Sequence, residues 1–142
     1  MLKITHCVNI TDVIEDYFNI NLFDIKHYDM NHKQLFILTK NTINVLVVND
    51  IAGSFILDTK NNLIESLYII ESERGKGYCL EVIRYLKKNY KKLYLDTFHN
   101  NLIANKCYSK YLKYVGIISH NLFKKIYKYS PNKNVKILRY EL

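Results

Sequence analysis

Apolar and polar residues change period twice along this chain. Between residues 34 and 70 lie the runs QLFILTK, INVLVVND, AGSFILDT and LIESLYII, separated by NT, NDI and KNN. Short runs rich in β-branched and aromatic residues, parted by turn formers, predict an antiparallel meander. Ahead of them, residues 2–8 read as a strand with Leu2, Ile4 and His6 on one side. Asp12 followed by Glu15 resembles a helix-start box, and Val13, Ile14, Tyr17 and Phe18 fit one helical face. Residues 19–33 carry no clear period and fit either a loop or a short second helix.

Behind the meander the period becomes helical. Leu80, Ile83, Leu86 and Tyr90 share one face, with Glu81, Arg84, Lys87 and Lys88 on the others. KLYLDTF (92–98) reads as a strand. NLIANKCYSKYLKYVG (101–116) reads as a second amphipathic helix, with Ile103, Cys107, Tyr111 and Val115 four apart. LFKKIYKY and VKILRYEL predict a closing hairpin around SPNKN. No linker or repeat interrupts the pattern, so residues 1–142 read as a single α+β domain, long enough for one core.

Composition narrows the class. No segment approaches the ~18 consecutive apolar residues of a membrane span, and the N-terminus lacks the apolar core of a signal peptide. Cys7, Cys79 and Cys107 are odd in number and form no CxxC pair, so neither a zinc site nor a disulfide framework is signalled. Three free thiols suit a reducing compartment, with cytoplasm as the default. The net charge of +8 suits an anionic partner, but the lysines are spread along the chain. No recognised nucleic-acid motif accompanies that charge.

Two of the four glycines fall together in ESERGKGYC, between an apolar run and a helical one. A strand, a Gly-rich turn and a helix start can cradle phosphate, because backbone N–H groups and the helix dipole converge there. Arg74 and Lys76 add positive charge, and Glu71 and Glu73 should then point outward. The same glycines also fit a plain tight turn. The spacing is neither a Walker A loop nor GxGxxG, since position 80 is Leu80.

LYIIESERGKGYC resembles the central motif of the GNAT superfamily of acyl-CoA N-acetyltransferases, L-x-V-x-P-x-x-R-G-x-G-x-G/A. Leu67, Tyr68, Ile69, Arg74, Gly75, Lys76 and Gly77 stand in matching positions. NLIANKCYSK resembles the second signature, N-x-x-A-x-x-x-Y-x-K, through Asn101, Ala104, Tyr108 and Lys110. Cys79 stands where the family has Gly or Ala, Glu71 replaces a common proline, and Leu112-Lys113 replace a usual Gly-Phe.

The resemblance implies a mixed, mostly antiparallel twisted sheet, splayed centrally between the strands at 63–70 and 92–98, with flanking helices. Acetyl-CoA would lie in the wedge as co-substrate, without a metal. The backbone at Leu67 and Ile69 would pair with the pantetheine arm, with an N–H near Ile69 polarising the thioester carbonyl. Arg74, Gly75, Lys76, Gly77, Tyr78 and Cys79 would cradle the pyrophosphate, and Asn101 would touch the arm.

Tyr108 matches the family's general acid, or else is a core tyrosine, with Tyr111 as the fallback. Glu65 is either a base or a solvent-facing strand residue. Cys107 reads as a buried helix-face thiol. Asp24, His27 and His32 match no standard metal site and read as exposed loop residues.

The resemblance thus implies an acetyltransferase acting on an amine by direct transfer, as monomer or homodimer. A catalytically silent CoA-binding module is the alternative. The acceptor's identity is not written in these motifs.

Overall fold

The computed structural model describes residues 2–7, 32–40 and 51–142. The helix expected near 12–18 and the strand run at 43–50 lie outside these residues, as do Asp24 and His27. The described strands are β1 (Lys3–Cys7), β2 (Lys33–Thr39), β3 (Ile51–Asp58), β4 (Leu63–Ile69), β5 (Tyr94–Phe98), β6 (Lys113–Ile118) and β7 (Ile137–Glu141). The described helices are α1 (Tyr78–Asn89), α2 (Leu102–Tyr111) and α3 (His120–Tyr127), with a 3-10 turn at Glu71–Glu73 before α1. No helix among the described residues is long and apolar enough to cross a membrane.

The strands form one sheet in the order β1-β2-β3-β4-β5-β7-β6, antiparallel except where β4 meets β5. That parallel pair joins only at Leu63 with Tyr94 and Ile64 with Leu95. Beyond Ile64 the two strands part, so the expected central splay is present. A bulge sits on β4 just past the splay point. Ile56 faces Glu65 and Ser54 faces Tyr68, which leaves Ser66 and Leu67 opposite Phe55 alone. Such a bulge takes a residue out of the ladder and leaves backbone groups unpaired. Gly53 lets the strands close again, because a methyl group there would collide with the Tyr68 carbonyl.

Helices α1 and α2 cover one face of the sheet. Val82, Ile83 and Leu86 of α1 pack with Phe36, Phe55, Leu57, Ile64 and Leu95, and α2 adds Tyr108 and Leu112. Each such burial contributes about 1.5–3 kcal/mol, which fixes the helix that starts at the glycine loop. Helix α3 lies on the opposite face, where Phe123 joins Ile118 and Ile137 in a smaller cluster.

Two expected elements differ. The helix expected through Gly116 ends at Tyr111, and residues 113–118 form β6, laddered along β7. The spacing of Ile103, Cys107, Tyr111 and Val115 matched a long helix, but pairing with β7 claims the β-branched end. The run LFKKIYKY is helix α3 rather than a hairpin arm. Ser119 supplies the reason, since its side chain accepts from the Leu122 N–H at 3.1 Å and caps the helix. Strand β7 then inserts between β5 and β6, so no terminal hairpin forms.

Candidate cofactor and acyl-transfer site

The loop after β4 is shaped by its two glycines. Gly75 has φ of 77° and Gly77 has φ of 81°, a left-handed backbone that side-chain-bearing residues enter at a cost. Gly77 is the N-cap of α1 and offers no side chain to the first helical turn. The N–H groups of Tyr78, Cys79 and Leu80 therefore remain without a side-chain cap. Open space lies where a Cβ at either glycine would stand. An uncapped helix start with an open approach suits an anion.

The charges around this cradle differ from expectation. Glu73 does not point outward: it is 7% exposed and joins Lys40 at 2.7 Å and Lys76 at 2.9 Å. Hydrogen bonds from Lys40 and then Lys76 hold its carboxyl below the usual value. Lys40, at the end of β2, is a contributor that the motif did not reveal. Lys40, Arg74 and Lys76 against Glu71 and Glu73 still leave the loop cationic, though only slightly. Arg74 folds back onto β4, where its Nε donates to the Ile69 carbonyl at 2.9 Å and its guanidinium lies over Tyr68. The Ile69 carbonyl is thus engaged. The unladdered backbone nearest the splay belongs to the bulge at Ser66 and Leu67.

Cys79 is not a free thiol. It forms a disulfide with Cys107 of α2, with the Cα atoms 6.6 Å apart. This corrects both the three-thiol reading and the reading of Cys107 as a buried thiol, and removes the argument for a reducing compartment. The bond ties the Cys79 side chain to α2. The departure from Gly or Ala at this position is matched by the partner 28 residues on.

Helix α2 starts at Asn101, whose Oδ1 accepts from the Ala104 N–H at 3.2 Å. Asn105 holds the helix to the sheet. Its Nδ2 donates to the Phe98 carbonyl at 2.9 Å, and its Oδ1 accepts from the Tyr140 hydroxyl at 2.8 Å. The Tyr140 ring in turn meets Tyr108 edge-on, with centroids 5.6 Å apart. Tyr108 is 6% exposed. Burial, and then the neighbouring Tyr140, push its phenol well above the ordinary value. It therefore stays protonated at neutral pH and keeps a hydroxyl proton to donate.

Glu65 lies on the other face of the sheet, 3% exposed. Lys33 of β2 bonds its Oε1 and also reaches Asp58 at 3.1 Å. Asp58 further accepts from the N–H groups of Lys60 and Asn61 and from the Asn61 side chain. Burial pushes the Asp58 carboxyl up, yet the bonds from Asn61 and Lys33 together hold it below its usual value. Glu65 goes the other way: burial raises it, and Lys33 offsets this only in part. Among the described residues, its Oε2 has no hydrogen-bond partner, and neither has the Oγ of Ser54, a diagonal neighbour on the same face. Glu65 is thus no solvent-facing residue. Among the described residues, Lys33 thus bridges two carboxylates, and an unbonded acceptor lies beside it. Among the described residues, no three His, Cys, Asp or Glu side chains converge as a metal site.

Comparison with known proteins identifies the family and the fold. The model of the acetyltransferase (GNAT) family matches residues 10–114. Among solved structures, a Bacillus subtilis acetyltransferase in complex with CoA matches with TM-score 0.63 at 18% identity, covering 100% of this chain and 98% of that one. Spermidine N-acetyltransferase from Vibrio cholerae, in complex with CoA and spermine, matches with TM-score 0.62 at 16% identity, covering 99% of this chain and 94% of that one. IAA acetyltransferase from Bacillus cereus matches with TM-score 0.62 at 14% identity, covering 100% and 99%. At these identities the structures show a shared fold. No curated protein matches the sequence.

Proposed function

Because the chain belongs to the acetyltransferase (GNAT) family, we propose that it transfers an acetyl group from acetyl-CoA directly to an amine. The observation that carries this reading is the uncapped start of α1 behind two left-handed glycines, on the loop that follows β4, the strand that parts from β5 beyond Ile64. The N–H groups of that turn would hold the pyrophosphate, with Arg74, Gly75, Lys76 and Gly77 forming its rim. Leu67 would present bulge backbone to the pantetheine arm and the thioester carbonyl. With its Oδ1 used in the cap, Asn101 would offer its Nδ2 to the arm.

In the transfer, the amine nitrogen forms a bond to the acetyl carbon and the carbon–sulfur bond breaks. The nitrogen's proton leaves toward Glu65, directly or through water. The departing thiolate receives its proton from Tyr108. A carboxyl raised by burial suits the first role. The Tyr108 phenol holds the proton that the second requires, although its burial weakens it as an acid. The unpartnered Glu65 Oε2 and Ser54 Oγ favour an acceptor that brings hydrogen-bond donors, such as a neutral amine.

Thermal unfolding with acetyl-CoA tests the cofactor reading. Saturation near a hundred times Kd should add about 2.7 kcal/mol of stability, and no upward shift in Tm would overturn it. A panel of polyamines, amino acids, aminoglycosides and peptides, read by released thiol, then identifies the acceptor. Stabilisation without turnover on any amine would point to a silent CoA-binding module, the reading favoured by the deep burial of Tyr108.

A further inference from the structure

We propose that the Cys79–Cys107 disulfide sets the spacing between the two helices that hold opposite ends of the cofactor, so that CoA affinity depends on thiol redox state. This inference rests on the reading of α1 as the pyrophosphate cradle and of Tyr108 as the group nearest the sulfur. Cys79 is the second residue of α1, within the uncapped turn itself, and Cys107 immediately precedes Tyr108 on α2. One covalent bond therefore connects the phosphate-binding turn to the acid-bearing turn. Among the described residues, the polar link between the two helices besides it is a hydrogen bond from Lys87 Nζ to the Tyr111 carbonyl, at an exposed position.

A cofactor gripped at both ends gains from helices already held at the right separation, because the ordering is done before binding. Neither cysteine is fully buried, so a small reductant can reach the bond. Reduction by a dithiol transfers two electrons and two protons to the protein. It breaks the sulfur–sulfur bond, leaves thiols at Cys79 and Cys107, and converts the reagent to its cyclic disulfide.

The test compares oxidised protein with protein treated with dithiothreitol, using CoA and ADP as probes in calorimetry. Alkylation and mass analysis should count one reactive thiol before treatment and all three cysteines after it. CoA affinity should fall about tenfold on reduction, while ADP, which engages the cradle alone, should change less than twofold. Equal CoA affinity in both states, or tighter binding after reduction, overturns the proposal. So does a parallel loss for ADP, which would place the effect within the cradle rather than in the spacing. Failure of CoA to bind in either state would instead sink the acetyltransferase reading. Should reduction unfold the chain, judged by circular dichroism, the double variant Cys79→Ala with Cys107→Val replaces the bridge by apolar contact. It should bind CoA weakly and ignore reductant, and oxidised-wild-type affinity in that variant would overturn the proposal.

Discussion

The cradle before α1 and the Lys33–Asp58–Glu65 cluster are built in opposite ways. The cradle comes from consecutive residues, uses backbone N–H groups, and needs glycine for its φ angles. The cluster draws one side chain from each of β2, β3 and β4, and depends on sheet register to bring them together. A backbone site tolerates side-chain change and fails when the chain cannot turn. A buried charge cluster tolerates little, because each member balances another. Mutation should therefore separate the two regions by what is lost, stability in one and ligand affinity in the other.

The largest effect should come from Lys33→Met. Removing the cation leaves two buried carboxylates unbalanced, a loss of about 3–5 kcal/mol in urea unfolding near pH 8. The sign with pH is fixed by Glu65, whose folded pKa lies above 4.5. Between 4.5 and that raised value the native chain binds more protons than the unfolded one, so stability falls as pH rises through the window. Without Lys33 the carboxyl rises further, so the loss should be smaller near pH 5 than near pH 8. Equal losses at both would show that Glu65 does not carry the effect.

Next is Glu65→Gln, which keeps the shape and removes the base. Turnover should fall about a hundredfold with CoA affinity unchanged, and the acid limb of the pH–rate profile should disappear. In the wild type that limb should lie above the ordinary carboxylate value, because burial raises Glu65. Full activity in the variant would leave Glu65 as a structural member of the cluster only.

The same contrast explains what could be read in the sequence. The glycine loop, the splayed strands and the start of α2 lie in unbroken stretches whose residue order is itself the signal. Lys33, Lys40 and Asn105 carry no such signal, since Glu65, Glu73 and Tyr140, which they bond, lie 32, 33 and 35 residues away. Only the register of the sheet and the docking of α2 join them. The Cys79–Cys107 bond was hidden for the same reason, as a separation of 28 residues matches no short cysteine spacing. Helix α3 was a different kind of miss. Its apolar residues fit either period over so short a run, and Ser119 was the deciding residue.

Gly77→Ala probes the cradle alone. Alanine has room at this position but must hold a left-handed φ of 81°, at a cost of about 1–2 kcal/mol. If the loop relaxes to relieve that strain, the N–H groups turn away from their common target. CoA affinity should fall about tenfold, with turnover at saturating acetyl-CoA close to normal. A variant that kept its affinity and lost turnover would reverse the assignment of the two regions.

The smallest effect is expected from Tyr140→Phe. It keeps the ring that meets Tyr108 edge-on and deletes only the hydroxyl that donates to Asn105. One such bond is worth about 1 kcal/mol, a few-fold in rate if it steadies Tyr108. Turnover should fall by that amount while CoA affinity holds, the reverse of Gly77→Ala. A rise in the acetyl-CoA KM at constant kcat would instead mean that Tyr140 shapes the cofactor wedge. In that case α2, held to β7 through Asn105, would belong with the cradle rather than with the proton-transfer chemistry.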